Sequence, residues 1–182
     1  FPTTKHEEWK YTNLKGLVQK ELNFHTEKSG AAVTKEVVNH FRIAGKDAAV
    51  LVFVNGIFNQ ELSDSLHQHN AVVVKNLAAA ADDDQVKNYL GKIASYSNES
   101  FVALNTAFLH DGIFIHVPEG FISAQPIHFL HINSSNDSCH VSTVRNLIVA
   151  ENNSRVSIIE SYHSIDNNCQ GFTNSVSEVV VK

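Results

Sequence analysis

The pattern of hydrophobic and polar residues changes near residue 110. Before that point, apolar residues recur at helical spacing in several stretches, one of which comprises Val86, Tyr89, Leu90, Ile93 and Ala94. The apolar run Ala49–Val54 predicts a buried strand. Asn55 and Gly56 follow it and predict a tight hairpin, because both residue types tolerate a positive φ angle. We therefore predict a mixed α/β domain over residues 1–109.

Capping residues predict where the helices of this domain begin. The acidic run Asp82–Asp84 places carboxylates at a helix start, where they accept hydrogen bonds from free backbone N–H groups. Asn98 is predicted to cap the last helix of the domain. Two earlier apolar faces, over Leu14–Leu22 and Val33–Phe41, predict two more helices, the second of which ends near Gly45.

After Gly112 the sequence shows short β runs separated by turns and no amphipathic helix. The predicted strands are Ile113–Val117, Ile127–Ile132, Val144–Ala150, Val156–Tyr162 and Val176–Val181. This half also resembles itself at an offset of about 30 residues, the scale of a repeat protein. Phe114–Glu119 aligns with Leu147–Asn152, and Ile127–His131 aligns with Val156–Glu160.

Repeats of that length, built of short strands, are typical of stacked β-helix coils. We therefore predict an α+β chain in which residues 110–182 form the first coils of a parallel β-helix. An antiparallel sandwich is the competing interpretation of the same strands.

Composition excludes several classes of function. Apolar residues make up 43% of the 182 residues and charged residues 18%, which indicates a folded chain. The net charge of -5 leaves no basic excess for a phosphate backbone, so no nucleic-acid partner is expected. No run approaches the roughly 20 apolar residues of a membrane span, and no charged leader with an apolar core opens the chain. We expect a cytoplasmic protein with no membrane partner.

The ends of the chain suggest that it is a piece of a larger protein. It begins at Phe1 without Met, and Val179–Lys182 has the composition of a strand. A β-helix that stops at Val181 leaves a strand edge unpaired. We therefore expect the fragment to self-associate, unless its own N-terminal domain covers that edge.

The 11 histidines raise the question of a metal site. His128 and His131 form an H-x-x-H pair, but residues an odd number apart on a strand face opposite sides, so their rings are predicted to diverge. Because both faces of Ile127–Ile132 mix apolar residues with histidine, we predict a strand buried on both sides. We assign no metal ligand, no catalytic residue and no cofactor-binding residue to this chain.

The two cysteines exclude a disulfide scaffold and a four-cysteine metal site within one chain. Cys139 and Cys169 lie 30 residues apart, about one repeat. If the repeat is a β-helix coil, their loops occupy adjacent rungs at a spacing of about 5 Å. We therefore hypothesise that the two thiols are neighbours in space.

Motifs for nucleophilic catalysis and phosphate binding are missing. The sequence contains no G-x-S-x-G elbow, no G-x-G-x-x-G loop and no Walker loop. One alternative function is a metal enzyme of the cupin type, although its H-x-H strand pair is matched only by His67 and His69, in a polar stretch near a turn. A polysaccharide-binding β-helix is a second alternative, which the missing secretion signal and the single Trp disfavour.

Three segments resemble one known family in order along the chain. Phe1–Leu14, with its Trp-Lys-Tyr-Thr run, is similar to the opening of the SufB/SufD family of iron–sulfur cluster assembly subunits, and it favours SufD over SufB. Gly112–Gly120, followed by Pro126 and Ile127, resembles the start of the core that the two paralogues share. Arg145–Val156 resembles the next stretch of that core.

The resemblance implies an N-terminal α/β domain, a right-handed parallel β-helix and a non-catalytic scaffold role in iron–sulfur cluster biogenesis. It also implies a SufB-like paralogue and a SufC-like ATPase as partners, the ATPase through a C-terminal segment beyond this chain. In the full complex the cofactors are a transient iron–sulfur cluster and reduced flavin, and none is expected in this fragment. The residues carried over are structural signature positions: Trp9, Tyr11, Val117, Pro118, Gly120 and Pro126. We expect Trp9 and Tyr11 to dock the first helix, because buried aromatic residues are usually core residues.

Overall fold

A computed structural model describes residues 1–21, 23–24, 33–43, 47–65, 72–134, 140–165 and 171–182. The helices are α1 (Lys15–Val18), α2 (Lys35–Phe41), α3 (Asp84–Tyr89) and α4 (Ser100–Ala107), with short 3₁₀ turns at Glu7–Trp9 and Ala78–Ala80. The strands are β1 (Asn23–Phe24), β2 (Ala49–Val54), β3 (Ile57–Asn59), β4 (Val73–Asn76), β5 (Asp111–Val117), β6 (Ile127–Asn133), β7 (His140–Ala150), β8 (Ile158–Ser164) and β9 (Gly171–Val181).

The predicted hairpin is confirmed. All six residues of β2 are buried, and β2 pairs with β3 in antiparallel register. Asn55 and Gly56 connect the strands with φ angles of 50° and 83°, in the left-handed region that a tight hairpin requires. A side chain at position 56 would also crowd β7, because an added Cβ would lie 2.9 Å from the Cβ of Ser142.

The strands form two sheets. In the first sheet the order is β1-β7-β5-β4, with β9 alongside β7, and in the second it is β3-β2-β6-β8. The pairs β2–β3 and β4–β5 are antiparallel and all other pairs are parallel. From β5 to β9, consecutive strands alternate between the two sheets, so each strand pairs in parallel with the second strand along the chain.

The register tests the predicted repeat. Phe114 pairs with Leu147, as the alignment of the two segments predicts. Ile127 pairs with Ile158, so the predicted alignment of Ile127 with Val156 is wrong by two residues. The pairing offset is still 33 residues at the bridge between Ile122 and Arg155 and falls to 31 at Ile127 and Ile158, because the segment before β6 is longer than the segment before β8. A shift by an even number of residues keeps every side chain on its predicted face.

Apolar side chains form three layers. The layer between the two sheets comprises Leu51, Phe53, Val72, Ile113, Ile115, Val117, Ile127, Phe129, Val144, Ile148 and Ala150. The outer face of the second sheet packs against α2 through Val33, Val38, Val50, Val52, Val54, Leu130 and Ile132. The outer face of the first sheet packs against α3 and the second 3₁₀ turn through Leu77, Ala80, Val86, Phe114, Leu147 and Val149. Central strands are therefore buried on both sides.

The helices are shorter than their apolar patterns predict. Asp83 caps α3 by accepting a hydrogen bond from the Gln85 N–H, as predicted, but the helix ends at Tyr89. The chain turns at Gly91, where φ is 74°, and the next amides donate to a carboxylate on β9 instead of continuing the helix. That side-chain acceptor lies more than 80 residues away, so local periodicity does not reveal it.

The other predicted helix boundaries also need correction. The N-cap residue of α4 is Glu99, which makes no side-chain capping bond, and not Asn98. α1 spans four residues, and α2 ends at Phe41 because Arg42 already has an extended backbone. Gly45 and Leu22 lie outside the described residues.

Strands on both sides of the predicted boundary at residue 110 share the two sheets. β4 pairs with β5 in the first sheet, and β2 pairs with β6 in the second. The division into residues 1–109 and 110–182 stays a prediction. None of the helices in the described part of the chain is long and apolar enough to cross a membrane.

Candidate functional site

One side of the two-sheet stack is open, and we call it the open side: the outer edges of β8 and β9 with the groove between them. Within the described residues, β8 pairs only with β6, and β9 pairs only with β7. The groove has a volume of about 500 Å³, and its lining is mainly apolar. Tyr162, Val179 and Val181 are 48%, 51% and 77% exposed. A strand edge with free N–H and C=O groups can pair with a further strand, so the open side is the candidate interaction surface.

A buried histidine lies between the sheets near this groove. The His131 ring stacks between Phe53 and Tyr162, with centroid distances of 4.8 and 4.6 Å. These three residues are paired in register on β2, β6 and β8, so the pairing itself aligns the rings. His131 is 3% exposed, and its ring nitrogens make no hydrogen bond. Burial, with a smaller effect of the nearby His128, lowers the pKa of His131 to about 3.

A carboxyl group lies beside this imidazole. The Glu160 Oε1 atom is 4.0 Å from the His131 Nε2 atom. The Asn146 side-chain amide donates to Glu160 at 3.3 Å and to the Ser177 hydroxyl at 3.2 Å. Burial raises the pKa of Glu160, and hydrogen bonds with Ser177 and Tyr162 partly oppose that change. Both titratable groups are thus shifted toward their neutral forms, which limits charge inside the stack.

The predicted divergence of the H-x-x-H pair is confirmed. His131 faces the space between the sheets, whereas His128 faces outward and its Nε2 lies 2.7 Å from the Ser161 hydroxyl. The prediction that this strand is buried on both faces is also confirmed, because the first six residues of β6 are buried. Among the described residues, no group of three or more His, Cys, Asp or Glu side chains is placed to hold a metal ion.

A buried ion pair joins the outer face of the first sheet to the segment after α3. The Glu178 carboxylate accepts hydrogen bonds from Arg145 at 2.6 and 2.9 Å, and both side chains are at most 3% exposed. The same carboxylate accepts the backbone N–H groups of Gly91, Ile93 and Ala94 at 2.8–3.1 Å. Burial by itself raises the pKa of Glu178, but these hydrogen bonds outweigh it and hold the pKa below its usual value.

The ion pair was not among the residues singled out from the sequence. The sequence does contain a sign of this ion pair, because Arg145 and Glu178 each interrupt an apolar run. They lie in two predicted strands that pair with each other. The parallel register places Arg145 opposite Val176, so Glu178 lies two residues further along on the same face. The contact of Ser161 with two imidazoles was also missed.

The opening signature residues differ in their contacts. The Trp9 ring packs against Phe101 of α4 at a centroid distance of 5.2 Å. The expectation that Tyr11 docks is wrong, because its side chain is 94% exposed. Tyr11 follows the first 3₁₀ turn and extends away from the sheets, and the Lys10 ammonium group lies 5.8 Å from its ring.

The other signature residues shape the turn after β5 and the start of β6. Val117 is fully buried between the sheets. The Pro118 carbonyl accepts the Phe121 N–H at 3.2 Å, and Gly120 has a φ of 71°. The Pro126 carbonyl accepts the Ala49 N–H at 3.0 Å, where β2 and β6 begin to pair. These contacts are structural.

The predicted thiol pair cannot be placed. Cys139 and Cys169 both lie outside the described residues, so their proximity stays a hypothesis. His67 and His69, on which the cupin alternative depends, also lie outside them.

Comparison with known proteins gives a consistent result. Residues 1–129 match the family described as the SufBD protein N-terminal region. An iron–sulfur cluster assembly SufBD family protein of Synechocystis is 32% identical over 98% of this chain, and the chain spans 41% of that relative. The iron–sulfur cluster assembly protein SufD of Bacillus subtilis is 31% identical over 65% of the chain and 27% of its own length. The SufD protein of Escherichia coli is 28% identical over 96% of the chain and 38% of its own length.

Proposed function

The chain belongs to the SufBD family, and from this membership we propose that it is the N-terminal part of a SufD-like scaffold subunit in iron–sulfur cluster biogenesis. The observation that carries the proposal is the match of residues 1–129 to the N-terminal region of that family. The relatives it matches are named as assembly proteins, and the subunit has no catalytic step of its own in this proposal.

The proposed architecture is an N-terminal α/β domain over residues 1–109 followed by the first coils of a right-handed parallel β-helix. What supports the β-helix is the alternation of β5 to β9 between two sheets, with parallel partners 33 or 31 residues apart. The open side then serves as the template on which further coils assemble. Because the chain spans only 41% of its Synechocystis relative, those coils lie in the remainder of the proposed subunit.

We propose a SufB-like paralogue and a SufC-like ATPase as partners in the cytoplasm. In this proposal the contacts to both lie beyond the present chain, and the iron–sulfur cluster is transient cargo of the full complex, which also binds reduced flavin. The described residues include no three-residue group suited to metal, so the proposal assigns no cluster ligand to them.

An anaerobic pull-down tests the partners. The baits are SufB-like and SufC-like proteins, and the preys are the 182-residue chain and a full-length protein that contains it. We expect both baits to retain the full-length protein and neither bait to retain the 182-residue chain. A matched control carries Val18→Ser, at an exposed position on α1, and it should bind as the parent does. Failure of both baits to retain the full-length protein would contradict the proposed partners.

Self-association through the open side is expected for the chain on its own. Two edges that pair with no further strand in the described part of the chain, with Val179 and Val181 exposed beside them, favour contact between copies. Val181→Lys places a charge at this contact and should weaken self-association roughly tenfold, which corresponds to about 1.4 kcal/mol. Val18→Lys adds the same charge at a position that is 47% exposed on α1, and it should leave self-association unchanged. Light scattering over a concentration series measures both, and a monomeric wild-type chain at high concentration would contradict the expectation.

A further inference from the structure

The outer face of the second sheet carries a cluster of histidines that the scaffold function does not use. Helix α2 covers this face through Val38 and the partly buried Val37 and Phe41, and Val33 packs on the same face just before the helix begins. Beside this apolar contact, the sheet contributes His128 from β6 and His163 from β8. The surface where α2 meets the second sheet therefore combines apolar side chains with titratable histidines.

A single hydroxyl group bridges two imidazoles in this cluster. The Ser161 Oγ atom lies 2.7 Å from the His128 Nε2 and 3.2 Å from the His163 Nε2. A serine hydroxyl has one proton, so it can donate to one ring and accept a hydrogen bond from the other. If both rings are protonated, both Nε2 atoms donate to the one hydroxyl oxygen, and two positive charges then face the same atom. Protonation of both rings therefore weakens the bridge through like-charge repulsion.

The bridge is connected to α2 by ring stacking. The His163 ring stacks on the Phe41 ring at a centroid distance of 4.3 Å and an interplanar angle of 19°. Phe41 is the last residue of α2, and its ring also contacts the ring of His40 at 5.2 Å. A change in the position of His163 is thus transmitted to the C-terminal end of the helix.

Charged groups around the bridge disfavour further positive charge. The elements packed here carry Lys35, Glu36, His40, Arg42, Asp64, His128 and His163. Asp64 already pairs with Arg42 at 2.5 Å, and Glu36 is exposed to solvent. Burial lowers the pKa of His128, with help from His163 and Arg42, and burial with help from His40 lowers the pKa of His163.

We propose that His128, Ser161, His163 and Phe41 form a pH-sensitive latch that holds α2 on the second sheet near neutral pH and releases it on acidification. Both histidines have folded-state pKa values below their unfolded values. The contact is therefore fully stable above the unfolded pKa and loses stability as the pH falls below it. Release uncovers the apolar face formed by Val50, Val52, Leu130 and Ile132, while the two sheets stay paired.

Hydrogen exchange on the 182-residue chain tests the latch. Exchange of the α2 amides is compared with exchange of the β7 amides at pH 7.5 and 5.5, after correction for intrinsic exchange rates. We expect α2 to open locally, so that its amides are less protected than those of β7 at both pH values, and to lose roughly fivefold of its protection on acidification, because linkage acts on this local opening. His163→Gln keeps a polar side chain but removes the titration, so it should abolish this loss in α2.

Two further variants keep the test decisive. His128→Gln should act as His163→Gln does, whereas His131→Phe changes the histidine between the sheets and should leave the loss in α2 intact. Unchanged protection of α2 between the two pH values, or protection of α2 equal to that of β7 at both, would overturn the latch. A pH response of α2 that persists in His163→Gln would overturn it as well. Neither outcome depends on binding to assembly partners, so the latch can fail while the scaffold function stands.

Discussion

Replacing Glu178 by Gln is expected to destabilise the chain by about 3–5 kcal/mol, the cost of breaking a buried ion pair from one side. The replacement leaves Arg145 charged and 2% exposed, without its carboxylate partner. It also weakens the acceptor for three backbone amides after α3. Urea unfolding at pH 7.5 gives the change in the free energy of unfolding.

A matched control separates burial from charge. Asp82 forms an ion pair with Lys87 at 3.3 Å, but their side chains are 106% and 53% exposed. Asp82→Asn should therefore change the free energy of unfolding by less than about 1 kcal/mol, as for other exposed pairs. Comparable losses in Glu178→Gln and Asp82→Asn would contradict the assigned role of the buried pair.

A double replacement shows what the carboxylate contributes beyond the pair. Replacing both members of a buried ion pair with apolar residues is often neutral in other proteins. Here Arg145→Met with Glu178→Leu should stay clearly destabilised, because Gly91, Ile93 and Ala94 would still lack an acceptor. Full recovery in the double variant would show that the amide contacts add nothing.

Much of the strand structure could be predicted from the sequence because its signals are local. The run Ala49–Val54 and the turn residues Asn55 and Gly56 are adjacent in sequence, and the structure confirms the hairpin they form. The match of Phe114 with Leu147 was equally visible, because both segments carry the same alternation of apolar residues. The divergence of the His128 and His131 rings follows from the two-residue period of a strand alone.

The features that could not be predicted depend on contacts between distant segments. α3 ends early because the chain turns at Gly91, whose positive φ is a local helix stop, and because the amides near it find an acceptor on β9 that the segment itself does not indicate. Tyr11 has the residue type of a core position, but its side chain is 94% exposed, whereas Trp9, two residues earlier, packs on Phe101 of α4. The Ser161 bridge depends on how β6 pairs with β8, and the alignment drawn from the repeat misplaces that pairing by two residues.

Acidification is expected to destabilise the wild-type chain through His131, and His131→Phe should remove that part of the loss. Burial lowers the pKa of His131 from the usual 6.5 to about 3, so the unfolded chain binds a proton that the folded chain does not. Stability is therefore fully present above pH 6.5 and decreases as the pH falls toward 3. Between pH 7.5 and 5 the loss from this one group is about 2 kcal/mol.

The Phe variant is suited to this test because it preserves the stack. A phenyl ring at position 131 can lie between Phe53 and Tyr162 as the imidazole does, and it removes two buried nitrogens that make no hydrogen bond. We therefore expect His131→Phe to be at least as stable as the wild type at pH 7.5, and about 2 kcal/mol more stable at pH 5. Urea unfolding at the two pH values measures both differences.

Two controls identify the source of the pH dependence. His110 is exposed, so His110→Gln should keep the loss seen in the wild type. Glu160→Gln removes the neighbouring carboxyl group. Because the pKa of Glu160 is raised, the folded chain binds a proton at this carboxyl more readily than the unfolded chain does. Protonation of Glu160 therefore offsets part of the loss of stability near pH 5. With Gln at this position the loss on acidification should be larger than in the wild type. Equal pH dependence in the wild type and in His131→Phe would show that this histidine is not the group that destabilises the fold in acid.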